Sequence, residues 1–274
     1  MNRADLVRII KEKQSFLCVG LDTDINKIPS VLRNEKNPIL SFNKAVIEAT
    51  HDLCVAYKPN LAFYEAYGSK GLQALEETMD FVPDNVFTIA DAKRGDIGNT
   101  AEKYAKAYFE EMGFDSVTVA PYMGSDSVMP FLKFKDKWVI LLALTSNAGS
   151  ADFQMLKADD GKHFFEHIMR KSSAWGSPEQ LMFVIGATHP EKIAQIRSIA
   201  PDNFFLVPGV GAQGGDLQDI AEHGLNNDIG LLINSSRGII YAGGDRSDFQ
   251  VHIRAAALKL QTEMSEILNN KGLV

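Results

Sequence analysis

Eight short runs of apolar and β-branched residues punctuate the chain, at 16–21, 53–57, 86–90, 116–119, 138–144, 181–185, 204–207 and 230–233, each closed by polar, Gly or Pro positions. The runs are continuously hydrophobic rather than alternating, the pattern of parallel strands covered on both faces. Between them lie stretches of helical period at 40–53, 101–112, 190–199 and 215–223, with a last one at 249–268. The runs recur about every thirty residues, the length of one βαβ unit. Eight such units predict an α/β fold of the (β/α)8 TIM-barrel type, a single domain over 1–274, with a doubly wound open sheet as the structural alternative. The widest gap, at about 145–180, carries Gly, Ser, Asp and a short helical segment, and predicts an elaborated loop after the fifth strand.

Composition narrows the function classes. At 274 residues and 45% hydrophobic content the chain can bury a core without disulfides or metals. A net charge of −7 disfavours nucleic acid and acidic membranes as partners, although a small anionic ligand needs only a local positive pocket. Cys18 and Cys54 sit inside apolar runs, which reads as packed, reduced thiols in a cytoplasmic protein. The first residues lack an apolar signal core and no run of about eighteen apolar residues occurs, so neither secretion nor a membrane span is expected.

In a barrel the chemistry sits at the C-terminal ends of the strands. Here those ends are charged. The first run leads into Asp22-Thr23-Asp24, the second into Lys58-Pro59-Asn60, and the third into Asp91-Ala92-Lys93-Arg94-Gly95-Asp96-Ile97-Gly98-Asn99-Thr100. Asp91 and Lys93 are spaced i, i+2, which on extended chain puts both on one face, while Asp96 reaches in from the loop. Singly, each charge has an ordinary explanation, as an Asx turn, a solvated strand end or a surface pair worth about 0–1 kcal/mol. Three consecutive strand ends carrying them together point to a site. Asn99 and Glu102 have the spacing of a capping box.

The far half of the barrel suggests phosphate. The seventh run is followed by Pro208-Gly209-Val210-Gly211-Ala212-Gln213-Gly214-Gly215, and the eighth by Asn234-Ser235-Ser236-Arg237-Gly238. Glycines let backbone N–H groups approach an anion, and Arg237 offers a planar fork to phosphate oxygens. Gly209, Gly211 and Gly214 also match a dinucleotide fingerprint, but no acidic strand end follows as a ribose partner. His163-Phe164-Phe165-Glu166-His167 matches an inverted zinc-protease pattern without an identifiable third ligand, and reads as a surface helix. The aromatic stretch 63–67 reads as core packing.

Asp91-x-Lys93-x-x-Asp96-Ile97-x-x-Thr100, together with Asp22, Lys58, the Pro208–Gln213 loop and Arg237, resembles the orotidine 5′-phosphate decarboxylase family in its longer bacterial subgroup. The resemblance covers nearly the whole barrel in the right order. It implies a homodimer in which Asp22, Lys58, Asp91 and Lys93 line one site while Asp96, Ile97 and Thr100 enter from the neighbouring subunit. It also implies that Ser146 hydrogen-bonds the pyrimidine and that Gln213 lies on a lid over a phosphate held by Arg237, with Pro208, Gly211 and Gly238 in the same loops. The implied reaction needs no metal or organic cofactor, because a fixed ammonium, Lys93, can stabilise and then protonate a carbanion at C6. The sequence departs at Gly98, where many relatives carry proline, and in its long fifth loop. A magnesium-dependent sugar-phosphate lyase or synthase of the same superfamily, a class I aldolase using Lys58, and a non-catalytic nucleotide-binding regulator are the other readings.

Overall fold

A computed structural model of the chain describes residues 1–187, 190–209 and 216–274, apart from the side chains of Pro190 and Glu191. The eight apolar runs form strands β1 (Leu17–Gly20), β2 (Ala56–Lys58), β3 (Phe87–Arg94), β4 (Ser116–Val119), β5 (Trp138–Leu144), β6 (Leu181–Ile185), β7 (Phe205–Pro208) and β8 (Leu231–Ser235). They neighbour one another in sequence order and close into a barrel. Pairing is parallel, for example Cys18 with Ala56 and Ser116 with Trp138. Buried side chains on both faces explain the unbroken hydrophobicity: all five residues of β6 are buried.

The described residues form two compact units, one comprising Met1–Val7, Lys93–Ile233 and Leu273, the other Arg8–Ala92, Asn234–Gly272 and Val274. In the second unit the helix Pro38–Thr50 buries Phe42, Val46 and Ile47; its Asn37 side chain accepts from the Leu40 N–H, and a proline occupies its first turn. The helix Phe249–Asn270 stacks Phe249 on Phe42. In the first unit the helix Leu217–Gly224 starts at Asp216, whose carboxylate caps the Gln218 and Asp219 amides. Arg3, in the same unit, is buried and donates to the carbonyls of Pro178 and Asp202, which anchors the N-terminal helix Arg3–Lys13, an element the hydrophobic pattern does not predict.

Two local expectations are corrected. No capping box forms at Asn99: the helix Gly98–Lys106 begins earlier, with Ile97 at its N-cap and no side-chain cap, and Glu102 reaches instead to Lys133 at 2.6 Å. Gly98 has φ +56°, which a proline ring cannot adopt, so the departure at this position has a backbone cause. The stretch 63–67 is core only at Tyr64, which is fully buried, whereas Phe63 is half-buried and Tyr67 exposed. In the long fifth loop, a turn at Ser150–Phe153 and an antiparallel bridge between Lys157 and His163 lead into the helix Phe164–Ser172.

Candidate active site

The charged cluster of the second unit grows from the ends of β1, β2 and β3. Asp91 is fixed by its backbone, its N–H donating to Pro59 O and its C=O accepting from the Leu61 N–H. Its carboxylate lies 2.7 Å from Lys58 Nζ, and both residues are buried, at 8% and 5% exposure. Burial alone would depress the Lys58 ammonium, but the Asp91 and Asp22 carboxylates outweigh it and hold its pKa above the ordinary lysine range. Asp22 is half-buried, and its Oδ1 is sealed from solvent with no hydrogen-bond partner among the described residues. A buried acceptor left in that state is a place where a ligand hydroxyl or amine gains most.

Asp22 also lines a cavity of about 260 Å³ together with Asp24, Lys27, Phe63, Arg237 and Tyr241. Arg237 is exposed at the start of the short helix Arg237–Ile240, and Gly238 beside it is exposed too. That helix can begin here only because β1 ends in glycine: a Cβ on Gly20 would sit 2.7 Å from the Ser236 Cβ. Tyr241, four residues beyond Arg237, donates its hydroxyl to Asp22 O at 3.0 Å and accepts from the Asp24 N–H at 2.8 Å. Burial raises its phenol to about 12, so it remains a donor at neutral pH. Tyr241 is the residue that sequence reasoning missed; its only signal is its place one helical turn after Arg237.

The other expected residues, Lys93, Asp96, Ile97, Thr100, Ser146 and Pro208, belong to the first unit. Lys93 is exposed, lies within β3 and has φ +47°, so the extended-chain alternation expected to align it with Asp91 does not hold at this residue. Its N–H donates to Thr118 Oγ1 at 2.8 Å. Asp96 is half-buried and turns its carboxylate onto the Ile97 N–H at 2.8 Å, while Ile97 and Thr100 are exposed. Ser146 is half-buried after β5, beside Thr145, which exchanges hydrogen bonds with Gln154. Pro208 ends β7 and its carbonyl accepts from the Ala187 N–H. Gly211 and Gln213 lie outside the described residues.

The zinc-protease pattern dissolves into separate bonds. His163 Nδ1 pairs with Met155 O, His167 Nε2 with Asp160, and Glu166, which is buried, accepts from the His163 N–H and from Gln195. Among the described residues no three His, Cys, Asp or Glu side chains are grouped to hold a metal, and no helix is long and apolar enough to cross a membrane.

Fold and side chains together define a (β/α)8-barrel protein with a buried lysine–carboxylate array at its strand ends and an arginine-lined cavity beside Asp22. Residues 15–250 match the family model described as orotidine 5′-phosphate decarboxylase / HUMPS family. Over the whole chain and 99% of the relative, 55% of positions are identical to a Parabacteroides distasonis protein named orotidine 5′-phosphate decarboxylase. A Christiangramia forsetii protein of the same name is 56% identical over 98% of this chain and 99% of its own. The solved structure of Leishmania donovani OMP decarboxylase superposes with a TM-score of 0.83 at 37% identity, covering 97% of this chain and 98% of that one. The chain belongs to the orotidine 5′-phosphate decarboxylase / HUMPS family.

Proposed function

We propose that this chain decarboxylates orotidine 5′-monophosphate to uridine 5′-monophosphate and CO2. The observation that carries the reading is the buried Lys58–Asp91 pair under the influence of Asp22, in a chain more than half identical, over its full length, to proteins bearing that name. Breaking the bond from C6 to the carboxylate leaves an electron pair in the ring plane, where the π system cannot accept it. The protein therefore has to stabilise the charge electrostatically. Lys93, two residues beyond Asp91 on β3, delivers its ammonium proton to that pair and is recharged from solvent. Asp91, Asp96 and Lys58 fix the surrounding field.

The remaining substrate contacts follow from chemistry. Asp22, with its unsatisfied buried oxygen, takes a ribose hydroxyl. Arg237 and the Gly238 backbone take the phosphate, with Pro208, Gly211 and Gln213 supplying the companion loop, and Ser146 binds the pyrimidine. Binding energy from the phosphate, remote from C6, organises the charged array. The chain acts as one catalytic domain, with the fifth-loop elaboration as part of it, and works as a homodimer in which Asp96, Ile97 and Thr100 serve the neighbouring subunit. The dimer reading is supported by large apolar side chains exposed after β3 and β4, among them Ile97, Tyr122 and Met123. The two buried free thiols, Cys18 and Cys54, support a cytoplasmic setting.

A spectrophotometric assay following the pyrimidine absorbance of orotidine 5′-monophosphate tests the activity directly. Lys93→Ala is expected to abolish turnover while calorimetry still detects uridine 5′-monophosphate binding. Near-normal turnover in that variant removes Lys93 from the chemistry.

A further inference from the structure

We propose that Thr118 is the positioning residue for Lys93: its buried hydroxyl accepts the Lys93 backbone N–H and so holds that lysine in the left-handed conformation from which its side chain is aimed. The proposal deepens the reading of Lys93 as the proton donor and rests on it.

Four non-glycine residues among those described have positive φ: Gln14, Lys93, Asp136 and Ile229. Three of them sit in turns between elements. Lys93 alone lies within a strand, at φ +47° in β3. A lysine gains nothing intrinsic from the left-handed region, and such a residue persists only where its surroundings over-determine it. The surroundings here are specific. The next residue, Arg94, joins an ordinary ladder contact, its C=O accepting from the Ala120 N–H at 2.7 Å. One step earlier the Lys93 N–H is diverted to a side chain, Thr118 Oγ1, at 2.8 Å. Thr118 is 1% exposed and lies in β4 between Val117 and Val119, both fully buried, so the hydroxyl that receives the Lys93 N–H is held on a fixed, solvent-excluded strand.

Extended backbone at Lys93 would restore the two-residue alternation and turn the side chain toward the face it shares with Asp91 by register alone. The left-handed residue replaces that direction with another, as a bulge does when it re-aims a side chain at a site. Thr118 is assigned a positioning role because its hydroxyl engages the Lys93 backbone and the residue is 1% exposed. Its effect reaches the reaction only through where the Lys93 ammonium stands, and should appear in kcat rather than in nucleotide affinity.

The test compares Thr118→Val, which keeps shape and β-preference but deletes the hydroxyl, with Thr118→Ser, which keeps the hydroxyl. Thr118→Val is expected to lower kcat by roughly 10- to 100-fold, the scale of a misplacement of about 1 Å, with the uridine 5′-monophosphate Kd unchanged. Thr118→Ser is expected to retain kcat close to that of the unaltered protein. Unchanged kcat in Thr118→Val, or equal losses in both variants, overturns the proposal. If Thr118→Val does not fold, Thr118→Ala against Thr118→Ser poses the same question, since the two differ by one oxygen. Crystal structures of the Val (or Ala) and Ser variants give a readout independent of turnover. Lys93 relaxed to negative φ without the hydroxyl and left-handed with it supports the assignment; left-handed in both defeats it. A parent protein inert toward orotidine 5′-monophosphate would instead defeat the functional reading, and the crystallographic comparison would still decide this one.

Discussion

Replacing Lys58 by methionine keeps the length and apolar bulk of the stem but strands two carboxylates. At the observed 2.7 Å between Lys58 Nζ and Asp91 Oδ2, an effective dielectric near 20 gives an attraction of about 6 kcal/mol, against which the burial of both charges must be set. Removing one member of such a pair costs about 3–5 kcal/mol, because the other charge stays buried without compensation. For a chain of this size that corresponds to a fall in Tm of roughly 6–20 °C. Lys58→Met combined with Asp91→Leu removes the stranded partner and should recover a good part of the loss, short of all of it because Asp22 also faces Lys58. Chemical denaturation of the parent, the single and the double variant measures both steps.

The pH dependence gives a second reading of the same pair. The folded-state pKa of Lys58 is raised, so its stabilisation is complete below the pKa of a free lysine and is lost only as pH climbs through the higher folded value. The stability gap between parent and Lys58→Met should therefore stay flat over roughly pH 7.5–9.5, and narrow toward acid as the variant's stranded carboxylates take up a proton. A single-variant cost under about 1 kcal/mol, or a double variant no more stable than the single, refutes the pairing argument. A gap that shrinks steadily between neutral pH and 9 refutes the raised pKa.

Two further outcomes are expected. Mixed dimers of Lys93→Ala and Asp96→Ala chains should regain part of the activity that each homodimer lacks, because one hybrid site then contains both groups; verified heterodimers without recovery argue against sharing. Tyr241→Phe removes a donor to Asp22 O and an acceptor for the Asp24 N–H. At about 1 kcal/mol per bond, uridine 5′-monophosphate should bind roughly thirtyfold more weakly by calorimetry, and an unchanged Kd would show that the first loop needs no such brace.

Strand positions and barrel class were legible because parallel strands buried on both faces leave unbroken apolar runs at regular spacing, a signal that survives without knowledge of contacts. Boundaries were less so. β3 continues through Asp91 to Arg94, since Thr118 and Ala120 supply partners that a hydropathy pattern cannot register. Lys58 and Asp91 could be named from their places after apolar runs, but their 2.7 Å contact belongs to the pairing of β2 with β3. The capping box at Asn99 failed for a local reason: the chain enters the helix two residues earlier, with Ile97 at the N-cap and a left-handed Gly98 as its first residue. Tyr241 was invisible because its role depends on a turn more than two hundred residues upstream.

That distance shapes how the protein comes into being. The Asp22–Asp24 turn leaves the ribosome early, yet the hydroxyl that ties it down is 217 residues away from Asp24. At about 5–20 residues per second, translation takes some 10–40 s to supply it. Through that interval the first strand and its thiol lack their final neighbours, and the last fifth of the message decides when the ligand cavity first exists.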